Sequence, residues 1–224
     1  MIQARLKIVV KIEIAALQDE NQELDTRKMD QLAMVLSNLE NSGKEILVVS
    51  SGAIALGAKK MGMKEPPKTL AQKQAIAAIG QAELIKMYQR YFGEYNQIVA
   101  QVLLTTDVVL HDVRRKNATN TFKKLMDINI IPIINENDAV STQDIIQDDN
   151  YPLVLNVAQL VGADIILVKC EDESGYIVVT RQDNQGKLIA ENDLFDYLEE
   201  IQQTLFTGNK QPVFPENFQD IKVC

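Results

Sequence analysis

Apolar residues along this chain come in short runs separated by longer stretches of helical spacing. Arg5 to Ile12 is a β-branched run and predicts a first strand. From Thr26 to Ser42 the apolar positions Met29, Leu32, Ala33, Leu36 and Leu39 recur at helical intervals, and Gly43 supplies a C-terminal stop. A short strand follows at Ile46 to Val49. After a loop containing Pro66-Pro67, a long helical stretch runs from Leu70 to about Phe92, with a break expected near Gly80. Ile98 to Leu104 predicts a strand, Asn117 to Asp127 a helix and Ile130 to Ile134 a strand. Leu153 to Val161 then predicts a helix and Ile165 to Val168 a strand. Strands alternating with helices at these lengths imply a mainly parallel sheet covered on both faces, an α/β protein built as a three-layer α/β/α sandwich. Beyond Gly175 the pattern changes. Tyr176 to Thr180 and Leu188-Ile189 predict a small hairpin around Asp183-Asn184-Gln185-Gly186. A helix from about Asp193 to Leu205 and an irregular tail with Pro212 and Pro215 end the chain.

At 224 residues and 46% hydrophobic content, a single domain spanning 1–224 can bury a full core. The formal net charge of −8 argues against nucleic acid or an anionic membrane surface as partner, because both demand a basic face. Lys7 and Lys11 interrupt the first apolar run too early for a signal peptide, and no apolar run approaches the roughly 18 residues of a membrane span. Cys170 and Cys224 have no metal-ligand spacing and make no disulfide framework. Cys170 reads as a core thiol and Cys224 as an exposed one, which fits a reducing cytoplasm.

Two strand tips carry the candidate chemistry. Ile130-Ile131-Pro132-Ile133-Ile134 runs into Asn135-Glu136-Asn137-Asp138, two amides and two carboxylates where a buried strand emerges. In open α/β sheets ligands bind outside the carboxyl ends of strands; a solvated loop is the plainer alternative. Glu45 to Val49 opens into Ser50-Ser51-Gly52-Ala53, small residues at a strand-to-helix turn. Such a turn offers backbone N–H groups to an anion, or its serine simply caps the helix. Neither a Gly-x-x-x-x-Gly-Lys-Ser/Thr loop nor a Gly-x-Gly-x-x-Gly fingerprint occurs, which removes support for the P-loop and dinucleotide-binding folds.

Four stretches in order, Val49 to Gly57, Lys73 to Gln81, Gln101 to Thr105 and Ile133 to Val140, resemble the amino-acid kinase family. Within it they resemble the enzymes that open proline biosynthesis. The resemblance runs from about Arg5 to about Val168 and is strongest between Ile46 and Val140. It implies ATP-dependent phosphorylation of the side-chain carboxylate of L-glutamate, with Mg²⁺, by a homo-oligomer, a dimer or tetramer. It assigns glutamate to Ser51, Gly52, Ala53, Asn135 and Asp138. A third element, a Gly-Asp-Asn-Asp run in the family, falls on Asp148-Asp149-Asn150-Tyr151 and adds Asp149 and Asn150. Lys11, at the end of the first strand, matches the lysine that steadies the transferring phosphoryl group. No metal ligand is assigned, and many relatives carry a C-terminal RNA-modification-type domain for which this chain has no room.

The chain departs from the family pattern on the nucleotide side. After Lys11 the family has a glycine where this chain has Glu13, a negative charge beside a polyanion. Two like charges about 4 Å apart repel by roughly 4 kcal/mol at an effective dielectric near 20, on the order of a thousandfold in ATP affinity. A nucleotide-contacting Thr/Ser-Asp pair is replaced by Cys170-Glu171. The glycine-rich loop that brings a second phosphate-binding lysine is absent, with Thr207-Gly208-Asn209-Lys210 as its one short counterpart, and Tyr151 replaces an acid. The alternative function is a catalytically weak or inactive kinase-like protein that binds glutamate or a similar amino acid.

Overall fold

The strands are β1 (Lys7–Ile12), β2 (Glu45–Ser50), β3 (Val99–Leu104), β4 (Ile131–Glu136), β5 (Ile165–Lys169), β6 (Gly175–Thr180) and β7 (Lys187–Ala190). In the computed structural model, which describes residues 5–21, 23–140, 151–170, 175–180 and 187–205, they form one sheet in the order β3-β4-β2-β1-β5-β6-β7. The first five strands pair in parallel and the last two antiparallel. The helices are α1 (Thr26–Asn41), α2 (Ala53–Lys60), α3 (Leu70–Gly93), α4 (Asp112–Asp127), α5 (Tyr151–Val161) and α6 (Leu194–Leu205). The expected three-layer sandwich is the observed one, hairpin included; the tail with Pro212 and Pro215 lies outside the described residues.

Period-two alternation sorts the strand side chains into two cores. Ile8, Val10, Ile46, Val48, Ile133, Ile165 and Leu167 point to one face, where Leu32 and Leu36 of α1 and Leu84, Tyr88 and Phe92 of α3 cover them. Val9, Leu47, Val49, Ile134, Ile166 and Val168 point to the other, against Phe122 and Met126 of α4 and Leu153, Val154 and Val157 of α5. Lys11 is two residues beyond Val9 in β1, so strand geometry sends it to the second face at the carboxyl end of the sheet.

Three elements differ from their sequence expectation. α3 runs unbroken through Gly80, because that glycine serves packing and leaves the helix axis intact. A Cβ there would sit 1.6 Å from the Ala53 carbonyl oxygen. α4 begins five residues before the predicted Asn117, since its polar first turn carries no apolar signal; its buried stripe is only Ala118, Phe122 and Met126. β4 extends two residues past Ile134, pairing Asn135 with Leu103 and Glu136 with Leu104. Both are buried, at 4% and 2% exposure, so the polar cluster begins inside the sheet. Cys170 is buried just past the end of β5, as the core reading expects, and Cys224 lies outside the described residues.

At the opposite edge of the sheet a carboxylate holds α1 to β2. Glu40, 7% exposed, accepts a 2.9 Å hydrogen bond from the Ile46 N–H. Burial raises its pKa from 4.5 to about 7, opposed by that hydrogen bond and by Arg5, with Glu45 adding to the rise. Between those two values the native state holds a proton that the unfolded chain has released, so stability falls as pH rises through that window. Glu40→Gln should therefore match the parent near pH 4 and exceed it above pH 7, by on the order of 1–3 kcal/mol. Denaturant unfolding across a pH series measures this; a difference that stays constant with pH would assign the effect to packing alone.

Candidate active site

The β2–α2 turn is built by a glycine and by two helices in backbone contact. Gly52 has φ +98°, in the left-handed region, and a Cβ there would meet Ile14 Cγ2 at 2.3 Å. It is the N-cap of α2 and has no side chain with which to cap the first turn. No serine caps α2, so the capping reading of this turn falls away and its first N–H groups carry no side-chain cap. α2 is held against α3 by a second close approach, where a Cβ on Gly57 would lie 2.1 Å from the Ile76 carbonyl oxygen. Behind the turn, Ser50 Oγ and the Tyr88 hydroxyl share a buried 2.9 Å hydrogen bond. Burial pushes the Tyr88 phenol well up, so it stays neutral at any working pH.

The β4 tip faces this turn. The Asn135 side-chain oxygen accepts from the Glu136 N–H at 2.8 Å, which orients the amide and leaves its NH₂ as the group it can offer a ligand. The Glu136 carbonyl accepts from Gln81 Nε2 of α3 at 3.2 Å, and the Asn137 N–H donates to Leu104 O at 2.6 Å. Asp138 follows them and lines the cavity at the turn. This cavity, of about 440 Å³, is lined by Ser51, Gly52, Ala53, Asn135, Asp138 and Glu13, and also by Lys73 and the Pro66-Pro67 wall. That size suits a small polar ligand. A larger depression of about 740 Å³ lies between β3 and α4, lined by residues such as Thr105, Arg114 and Val140; of the polar β4 tip, Asn137 lines it.

Lys11 is 2% exposed and its ammonium is ion-paired with the Glu13 carboxylate. Its backbone pairs with Val49 on one side and Val168 on the other, so it sits centrally where the parallel strands end. Glu13 lies at the start of the 3-10 turn Ile14–Leu17 and reaches the cavity, while Lys11 lies behind it.

The amino acid kinase family model matches residues 7–211. The chain belongs to the amino acid kinase family. Its relatives within that family include the glutamate 5-kinase of Enterococcus faecalis, 41% identical over 92% of this chain and 75% of that one. The glutamate 5-kinase of Clostridium perfringens is 38% identical over 88% and 74%. That of Clostridium tetani is 42% identical over 81% and 68%. Among solved structures, the UMP kinase of Bacillus anthracis is similar at a TM-score of 0.45 and 16% identity, over 75% of this chain and 66% of that chain.

Five of the seven residues the family resemblance assigns to the substrate thus line one cavity. The other two, Asp149 and Asn150, lie outside the described residues, as do Glu171 and Lys210 on the nucleotide side. Cys170 follows the last residue of β5 and does not line the cavity. Sequence reasoning missed Lys73 and the proline wall as lining residues. The signal for Lys73 was present, because it opens the family-like stretch Lys73 to Gln81. It also missed that Glu13 pairs with Lys11, although the signal was present: Glu13 is still extended, and residues two apart in extended backbone share one face.

Because an alanine methyl at position 80 would collide with the backbone of Ala53, Gly80→Ala should push the family's anion turn out of place. Overpacking of this kind costs about 1–3 kcal/mol and outweighs the roughly 1 kcal/mol gain in helix propensity. The expected outcome is a lowered Tm together with weakened binding of a carboxylate ligand. Gly93→Ala, at the end of the same helix with nothing within 4 Å, serves as control and should be neutral or stabilising. Equal Tm values for the two variants would show that the helix contact yields.

Proposed function

We propose that this chain transfers the γ-phosphoryl group of ATP to the side-chain carboxylate of L-glutamate, giving L-glutamyl 5-phosphate and ADP, the first step of proline biosynthesis. The observation that carries the reading is the single cavity where Ser51, Gly52, Ala53, Asn135 and Asp138 meet at the strand carboxyl ends. The curated relatives favour an active enzyme over the binding-only alternative.

A carboxylate nucleophile is already ionised at neutral pH and needs no general base. The protein's task is to hold acceptor and donor in line and to neutralise charge as phosphoryl moves. On this reading the Gly52 and Ala53 N–H groups take the side-chain carboxylate, the Asn135 NH₂ steadies it and Asp138 receives the ammonium. A carboxylate oxygen forms a bond to the γ-phosphorus while the bond to the β–γ bridging oxygen breaks, and ADP leaves with that electron pair. Lys11 offsets the charge on the transferring group. To do so it must exchange the Glu13 carboxylate for phosphate oxygens, so this chain spends ATP-binding energy on breaking an ion pair. Mg²⁺ would supply charge neutralisation on the ATP phosphates. Mg²⁺ commonly binds through substrate phosphates and one or two carboxylates. Among the described residues no helix is long and apolar enough to cross a membrane. A cytoplasmic location and a homo-oligomeric state, dimer or tetramer, belong to the same proposal and rest on the family resemblance.

Two substitutions separate the halves of the site by calorimetry. Glu13→Gly removes the competing carboxylate and should tighten Mg-ATP binding by roughly tenfold or more, a larger change than any in glutamate affinity. Equal ATP affinities would place Glu13 away from the phosphates. Asp138→Asn keeps the shape but trades a charge-assisted hydrogen bond for a neutral one, a loss of about ten- to a hundredfold in glutamate affinity. ATP affinity should barely move. Intact glutamate binding, or loss of ATP binding alongside it, would make Asp138 a structural residue.

A further inference from the structure

L-glutamate brings two carboxylates and one ammonium into its site, and the assignments above use one carboxylate and the ammonium. We propose that Lys73 receives the second, the α-carboxylate, and so makes the site selective for an α-amino acid over an ω-amino acid of the same length. This inference rests on the functional reading above and deepens it.

Charge inventory points first to Lys73. Among the described residues lining the cavity it is the one cation, set against the carboxylates of Glu13 and Asp138. Lys11 lies behind Glu13 and is committed to the phosphoryl end. Without a cation at the amino-acid end, the α-carboxylate would enter a cavity whose other charged lining groups are both negative.

Helix geometry then places Lys73 at the right end. Gly80 of α3 abuts the Ala53 carbonyl at the anion turn, and Ile76 abuts Gly57 one turn of α2 further on. Lys73 continues the same face of α3, at positions i, i+3 and i+7, about 10 Å along the axis from Gly80. Its side chain lines the same cavity as the turn, so a ligand whose one end sits on the turn has Lys73 within the same space. The Lys73 backbone is itself well anchored. Thr69 and Gln72 form a capping box at the start of α3, and the Lys73 N–H donates to Thr69 O at 2.9 Å. The residue is half-buried beside Pro66 and Pro67, where a charge-assisted bond is stronger than in open water.

The test compares L-glutamate with 4-aminobutanoate, which keeps the ammonium and the reacting carboxylate but lacks the α-carboxylate. Binding of each, and of Mg-ATP, is measured by calorimetry on the parent, Lys73→Met and Lys73→Arg, with thermal unfolding to show that all three fold. The parent should favour glutamate by about ten- to a hundredfold, as loss of one charge-assisted bond implies. Lys73→Met should erase that preference by weakening glutamate alone, leaving 4-aminobutanoate within about twofold, and Lys73→Arg should restore part of it. Equal losses on both ligands would reduce Lys73 to a structural residue, and a loss confined to Mg-ATP would move it to the phosphate end; either overturns the inference. A parent that binds neither amino acid overturns the functional reading itself, an outcome distinct from both.

Discussion

Everything at the proposed site depends on how closely α2 can lie against α3. The Ala53 carbonyl occupies the space where a side chain at position 80 would begin, and the Ile76 carbonyl does the same at position 57. Two glycines thus let two helix backbones touch. This contact sets the N-terminus of α2 beside the ends of β1, β2 and β4, since Gly52 in its left-handed conformation can only turn the chain one way. Any bulk at the crossing would lift the turn, which the Ser51 N–H bond to Ile12 O and the Leu56 side chain hold from the other side. The hydrophobic core beneath is generic by comparison. Its two layers of β-branched and leucine side chains support the sheet without specifying where a ligand sits.

Electrostatics divides the cavity into two ends with different balances. On the proposed reading, backbone N–H groups and one lysine at the amino-acid end would meet the two carboxylates of glutamate, and Asp138 its ammonium. At the phosphoryl end a buried lysine is already matched by Glu13. Buried ion pairs gain little net stability, because desolvation offsets attraction, so the pair is better understood as competition with the nucleotide than as a stabilising feature. A phosphate group carries more charge than a carboxylate and can win the exchange at a cost in affinity. The curated relatives act as kinases by name, and Glu13 is compatible with that activity provided the side chain yields.

Much of the architecture was legible in the residue pattern. Strand and helix alternation predicted the parallel sheet and both covering layers, because apolar periodicity reports directly on which faces are buried. Boundaries slipped where burial and polarity disagree. Asn135 and Glu136 belong to β4 although they are polar, since the neighbouring strand β3 supplies their backbone partners. α4 begins in a turn whose residues face water and so carry no periodic signal. Gly80 was legible as a glycine in a helix, and propensity alone suggested a break; only the proximity of Ala53 shows that the missing side chain is filled by another backbone.

By itself the sequence determined the fold class, the strand tips at which chemistry could sit, and the identity of the polar residues there, because these follow from local pattern and from motifs in order. Which of those residues share a cavity was decided by tertiary structure. Parallel pairing brought tips separated by more than eighty residues to one edge, as with Ser51 and Asp138. The helix crossing then brought Lys73 to the same space, and extended backbone past β1 left Glu13 on the same face as Lys11. Charge balance in a site is a property of distances, and the distances exist only once the chain has closed on itself.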